Sequence, residues 1–191
     1  MTVITGRSDE LRATVRMLDG VTGGPWALFV EGEPGIGKTT LFDATVTEAR
    51  ERGFRVLRCR PSQSEVRLSH AGLIELLDGV GEGAVNTLPV PQRRAMRVAL
   101  RWDDPGETPA EQQTISAALA TMLRAKAALG PLLVAIDDLH WLDDSSAQAL
   151  EYAVRRLEGL PVAVLAAARS TAGNRPRPTE RAISPDRRFP R

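Results

Sequence analysis

The chain has 191 residues, 42% of them apolar, which suits one domain with a sizeable core. Its 25 basic and 24 acidic residues leave a net charge of +1, so nothing global points to nucleic acid or a membrane surface as a partner. A single cysteine, Cys59, excludes an internal disulfide framework. With no signal-like segment in "MTVITGRSDELR" and no apolar run near the roughly 20 residues a bilayer requires, a cytoplasmic protein without membrane contact is expected.

In "SDELRATVRMLDG", Leu11, Val15 and Leu18 recur at helical spacing, with Ser8 to cap the start and Gly20 to end it. "WALFV" reads as a short buried strand, followed by a glycine-rich turn and a helix from about Lys38 to Arg50 that stops at Gly53. "RVLRC" is a second strand. A mixed helical stretch follows, with "HAGLIELLDGV" and "PQRRAMRVALRW" as its clearest helices. In "TPAEQQTISAALATMLRAKAALG", Thr108, Pro109 and Glu111 form a capping-box pattern with proline at the first helical position. Ile115, Leu119, Met122 and Leu129 mark the buried stripe of that helix. "PLLVAID" scarcely alternates, as in a strand covered on both faces. One more helix, "SSAQALEYAVRRLEG", and a last strand, "PVAVLAAAR", complete the series. Strands alternating with helices predict a three-layer α/β/α fold around a parallel sheet. From Ser170 onward six arginines stand against two acids, with four prolines and only Ile183 and Phe189 as large apolar residues. Residues 1–170 are therefore expected to form the domain and 171–191 a disordered basic tail.

"EGEPGIGKTT" carries the strongest chemical signal. Gly32, Gly37, Lys38 and Thr39 match G-x-x-x-x-G-K-[ST], with a strand before and a helix after. Gly35 and Gly37 let the backbone around Ile36 turn its N–H groups inward into an anion nest, and the helix start adds its positive end. Lys38 would reach the β- and γ-phosphates, Thr39 would place its hydroxyl on Mg²⁺, and Thr40 is a further donor near the α-phosphate. An ordinary glycine-rich turn is the alternative.

Phosphoryl transfer also needs a carboxylate for the metal and a group to position water. Asp137 and Asp138 close the strand in "LLVAIDDLHWLDDSS", 99 positions after Lys38, and ligands of open parallel sheets sit at the carboxyl ends of strands. Asp137 would hold the metal, and Asp138 would orient or activate the attacking water. Taken alone, the pair also fits two solvated or capping acids.

Together, "GRSDEL", "EGEPGIGKTT", "LVAIDDLHWLDDSS" and "VAVLAAARS" resemble the AAA-type ATPase domain at the front of large ATP-binding LuxR-type transcriptional regulators. These belong to the signal-transducing (STAND) P-loop NTPases. The likeness runs from about Thr5 to Ser170, and "LPVPQRRAMRVAL" resembles the family's linker region. It implies that Gly6 and Arg7 lie near the adenine, where simple loop residues are the alternative, and that Arg169 is a sensor arginine facing the γ-phosphate, where an ordinary surface cation is the alternative. The pattern departs from the family after Arg169. A fifth core strand, a helical lid, a winged helix and a DNA-binding helix-turn-helix do not fit into the 22 residues that follow. The domain is thus expected to be incomplete, with "WALFV" as an apolar sheet edge covered by the tail or another chain. No direct DNA binding by this chain is expected.

Other residues read as structural. His140, Asp143 and Asp144 lack a fourth metal ligand, and Asp144 or Ser145 is expected to cap the next helix, with Gln148 completing a box after Ser145. His70 reads as a helix-start or packing residue, Cys59 as a small buried hydrophobe, and Trp141 as packing under the acidic loop. The chain is expected to be an ATP- and Mg²⁺-dependent switch with slow hydrolysis, working through a protein partner or self-association. The alternative is a nucleotide-binding module or truncated remnant without turnover. A small-molecule kinase lacks a recognisable lid segment, a GTPase lacks N-K-x-D, and an ABC-type ATPase lacks L-S-G-G-Q.

Overall fold

The computed structural model describes residues 8–23, 25–33, 35, 37–106 and 109–169. Four parallel strands, β1 (Trp26–Gly32), β2 (Arg55–Cys59), β3 (Leu132–Ile136) and β4 (Val162–Arg169), form one sheet in the order β1-β4-β3-β2. The helices are α1 (Ser8–Gly20), α2 (Lys38–Glu51), α3 (Ala71–Leu76), α4 (Glu82–Asn86), α5 (Val90–Ala99), α6 (Gln112–Ala127) and α7 (Asp144–Val154).

Side-chain alternation on the strands divides the core in two. Leu133, Ala135, Ala163, Leu165 and Ala167 point to one face, where Met17 and Leu18 of α1 and Phe42, Val46 and Ala49 of α2 cover them. Leu132, Val134, Ile136, Val162, Val164 and Ala166 point to the other, beneath residues of α3 to α7. The expected three layers are present, and β3, flanked by β2 and β4, is buried at all five positions. β4 is alanine-rich, and it is buried from Val162 to Ala168. Among the described residues β1 pairs only with β4, in register from Trp26 opposite Ala163 to Gly32 opposite Arg169. Its side chains are accordingly only partly buried, and it is the sheet edge that the sequence suggests, not the buried strand its apolar run alone implies.

Several local expectations shift. In α1 the fully buried face is Thr14, Met17 and Leu18, continued by Val21, while Leu11 and Val15 lie at its margin. Helix α6 starts at Gln112 after an extended Glu111 with no side-chain cap, so Pro109 is not its first residue. Thr108 lies outside the described residues. Ile115, Leu119 and Met122 are buried, but Leu129 is 69% exposed because the helix has ended at Ala127 and the helical phase no longer applies. The cap of α7 is Asp143 rather than Asp144 or Ser145. Helix α4 and a 3-10 turn at Leu139–Trp141 were not apparent in the sequence. No helix among the described residues is long and apolar enough to cross a membrane. The segment 171–191, expected to be a disordered tail, lies outside the described residues.

Candidate functional site

Because the four strands run parallel, their carboxyl ends gather at one end of the sheet. The register fixes what meets there: Phe29, Ala166, Ile136 and Cys59 form one row across β1, β4, β3 and β2. Asp137 follows that row on β3, its backbone N–H still donating to the Cys59 carbonyl at 3.0 Å. Gly32 and Arg169 end β1 and β4 side by side. Two strand spacings, about 10 Å, separate β1 from β3. The loop after Gly32 and the acids after Ile136 therefore open at the same end of the molecule. Alternation adds the face: Leu133 and Ala135 point toward α1 and α2, so Asp137 continues onto the side where α2 begins.

The two described loop glycines between Glu33 and Lys38 are both left-handed. Gly35 and Gly37 take φ of 80° and 84°. A Cβ at Gly37 would meet no heavy atom within 4 Å, so only the left-handed conformation selects glycine there. Gly37 also precedes the first turn of α2, and its carbonyl accepts from Leu41 N at 3.2 Å. Lys38 is buried, and its ammonium donates to the carbonyls of Gly32 at 2.7 Å and Glu33 at 2.8 Å, so the side chain folds back over the loop mouth. Thr39 is half-buried and Thr40 exposed on the same first turn. Gly6, Arg7 and Ile36, also expected to contact nucleotide, lie outside the described residues.

At the other strand end, Asp137 is 1% exposed. Its Oδ1 accepts from the Asp138 backbone N–H at 3.1 Å, but among the described residues Oδ2 has no hydrogen-bond partner, and the Arg60 guanidinium lies beside it with Nε at 3.6 Å. Burial pushes the Asp137 carboxyl above its ordinary range and the charge of Asp138 adds to this, while Arg60 pulls the other way. A buried carboxylate oxygen without a donor suits a cation, and the residues present fit a metal in this respect. Asp138 adopts the left-handed conformation, φ 51°, uncommon for a residue other than glycine. Its Oδ1 lies 4.0 Å from His140 Nδ1. Arg169 is exposed at the tip of β4 beside Gly32. The sheet thus brings Gly32, Lys38, Thr39, Asp137, Asp138 and Arg169 to one end.

No cluster of three or more metal-ligating side chains is present among the described residues. His140, Asp143 and Asp144 form no such group, and Asp143 accepts only backbone amides. His70 precedes α3 and pairs with Gln112 Oε1 at 3.0 Å, and Cys59 is buried and free. Trp141 is half-buried beside His140, with ring centroids 4.8 Å apart, and lines a surface cleft with Arg60. Arg60 escaped sequence reasoning, although its place directly after a strand, at the end where ligands collect, was a usable signal.

The fold is shared with a protein of known structure. The ORC1 protein of Aeropyrum pernix, solved in complex with DNA, is 16% identical with a TM-score of 0.52, covering 88% of this chain and 40% of that one. DnaA of Aquifex aeolicus, solved with AMPPCP, is also 16% identical, at a TM-score of 0.49, covering 94% of this chain and 45% of that one. An uncharacterised protein of Rhizobium meliloti (strain 1021) is 24% identical over 189 residues. The match takes in 87% of this chain but 18% of that protein, so the chain spans less than a fifth of the relative's length. The family model of the AAA ATPase domain matches residues 3–165, most of the chain. With the glycine-lysine loop and the aspartates gathered at one sheet end, the chain belongs to the AAA ATPase domain family as an AAA-type nucleotide-binding domain.

Proposed function

We propose that this domain binds ATP with Mg²⁺, hydrolyses it slowly, and serves as the switch of a LuxR-type transcriptional regulator of the STAND group in the cytoplasm. The observation that supports the nucleotide site is the buried Oδ2 of Asp137, without a donor among the described residues, at the same sheet end as the Lys38 loop. In this reading the amides around Gly32, Gly35, Ile36, Gly37 and Thr40 cradle the phosphates, and Lys38 leaves its two carbonyls to pair with them. Thr39 and Asp137 hold the metal, which when bound neutralises charge on the β- and γ-oxygens. Gly6 and Arg7 flank the adenine, Asp138 orients the attacking water, and Arg169 faces the γ-phosphate. The regulatory role rests on the resemblance of "DDLHWLDDSS" and its companions. It includes action through a protein partner or self-association, with no direct DNA contact by this chain.

Titration with ATP and Mg²⁺ beside Lys38→Ala tests the site. Saturable binding by the parent, weakened at least about tenfold in the variant, is expected from loss of a charge-assisted phosphate contact. A parent chain without affinity would end the proposal. A second reading, nucleotide held without turnover, is favoured by the position of Asp138, whose short carboxylate lies toward His140. Multiple turnovers abolished by Asp138→Asn would exclude it.

A further inference from the structure

Arg60 is the cation beside the Asp137 carboxylate, and the two ends of that contact are held very differently. Asp137 is fixed at a strand end with its side chain 2% exposed, whereas the Arg60 side chain is 53% exposed. At 3.6 Å from Oδ2, Nε attracts the carboxylate without a hydrogen bond to lock it there. The backbone of Arg60, in contrast, is anchored, its N–H donating to Glu75 Oε2 at 2.8 Å. Arg60 also borders a cleft of about 440 Å³ whose walls carry the acids Glu65, Glu75 and Asp78 against one further cation, Arg101, with Trp141 beside them. The guanidinium therefore has two anionic neighbourhoods within reach of one fixed backbone position: Asp137 on the nucleotide side and the carboxylates of the cleft on the other.

We propose that Arg60 is a competing counter-cation for the metal position, pairing with Asp137 and withdrawing toward the acidic wall of the cleft when a divalent cation is held at that carboxylate. This rests on the reading of Asp137 as a metal-holding residue given above. Two cations cannot share one carboxylate oxygen without strong repulsion, and only Arg60 has solvent-exposed freedom to leave. The backbone anchor at Glu75 limits the movement to the side chain. Arg60 is then a two-position element biased from both sides. Whatever stabilises its withdrawn position raises metal affinity, and metal binding reciprocally alters the cleft.

The test uses the full chain, a fluorescent ATP analogue and Mg²⁺ titration at fixed nucleotide, with parallel binding in EDTA. Arg60→Ala is expected to lower the Mg²⁺ midpoint by about fivefold, the lower end of typical coupling between sites, with affinity in EDTA unchanged. Arg60→Lys is expected to return most of the parent midpoint. Arg60→Gln, which keeps side-chain bulk, repeats the measurement if the alanine variant melts early. A second readout is Trp141 emission in a Trp26→Phe, Trp102→Phe background. Mg²⁺ with nucleotide should shift it when Arg60 is present and not in Arg60→Ala. An unchanged or raised midpoint, or an emission shift independent of Arg60, overturns the role of Arg60 while leaving the nucleotide site standing. A parent chain that binds no nucleotide at any Mg²⁺ concentration overturns both.

Discussion

The carboxylate of Asp143 lies 2.8 Å from the backbone nitrogen of His70, 73 residues earlier in the chain. The same side chain accepts from Ser146 N at 2.9 Å as the cap of α7 and from Gly72 N at 3.0 Å at the start of α3. One buried carboxylate thus ties two helix starts together next to the candidate site. Asp143→Ala removes a cap and leaves two further amides without an acceptor. It is expected to cost about 3 kcal/mol in a denaturant titration, from roughly 1 kcal/mol for the cap and about 1 kcal/mol for each amide. Asp143→Asn should recover part of this through its remaining carbonyl oxygen. A loss below about 1 kcal/mol for the alanine variant would mean that water replaces the carboxylate.

Asp137 should show the opposite sign. Its carboxyl is raised chiefly by burial, so the native state holds a proton there more tightly than the unfolded chain does. Stability from this group is present at acid pH and is lost as pH rises through the raised value. Asp137→Asn removes the charge and keeps the shape. Measured without nucleotide at pH 7, the variant is expected to melt about 2–4 °C above the parent, for relief of roughly 1 kcal/mol. The difference should shrink as pH falls into the carboxylate range. The same substitution should abolish the Mg²⁺-dependent part of nucleotide binding. A variant that melts lower at pH 7 would show that Arg60 more than offsets the burial.

Cys59 is fully buried on β2, and burial pushes its thiol well above the ordinary range. Thiolate is the reactive form, so a disulfide reagent at pH 8 should leave the native protein unmodified. Labelling should appear along the denaturant unfolding curve. Rapid reaction of the single thiol without denaturant would show that the outer strand β2 opens locally.

The elements most legible in the sequence were those with one dominant cause. "RVLRC", "LLVAI" and "VAVLAAAR" needed only apolar runs bounded by breakers, and all three are strands. The turn between β1 and α2 was legible from its glycines, and Gly35 and Gly37 are indeed left-handed. Less legible were features set by a distant partner. Asp143 caps α7 instead of Asp144 because its carboxylate also meets amides of the 70–72 segment, which local spacing cannot reveal. Leu129 kept helical spacing in the sequence after the helix itself had ended. Arg60 carried no motif, and its meaning comes from the register that sets Cys59 beside Ile136 and so brings the next residue to Asp137.

The two carbonyls that hold the Lys38 ammonium make its recruitment an exchange rather than a simple capture. An incoming anion must offer more than Gly32 and Glu33 already supply at 2.7 and 2.8 Å. An ionised oxygen can win that exchange, because hydrogen bonds from an ammonium to an anion are stronger than those to neutral carbonyls. In the proposed nucleotide site the Lys38 side chain therefore changes partners rather than filling an empty position, and binding is set by a difference between two sets of contacts.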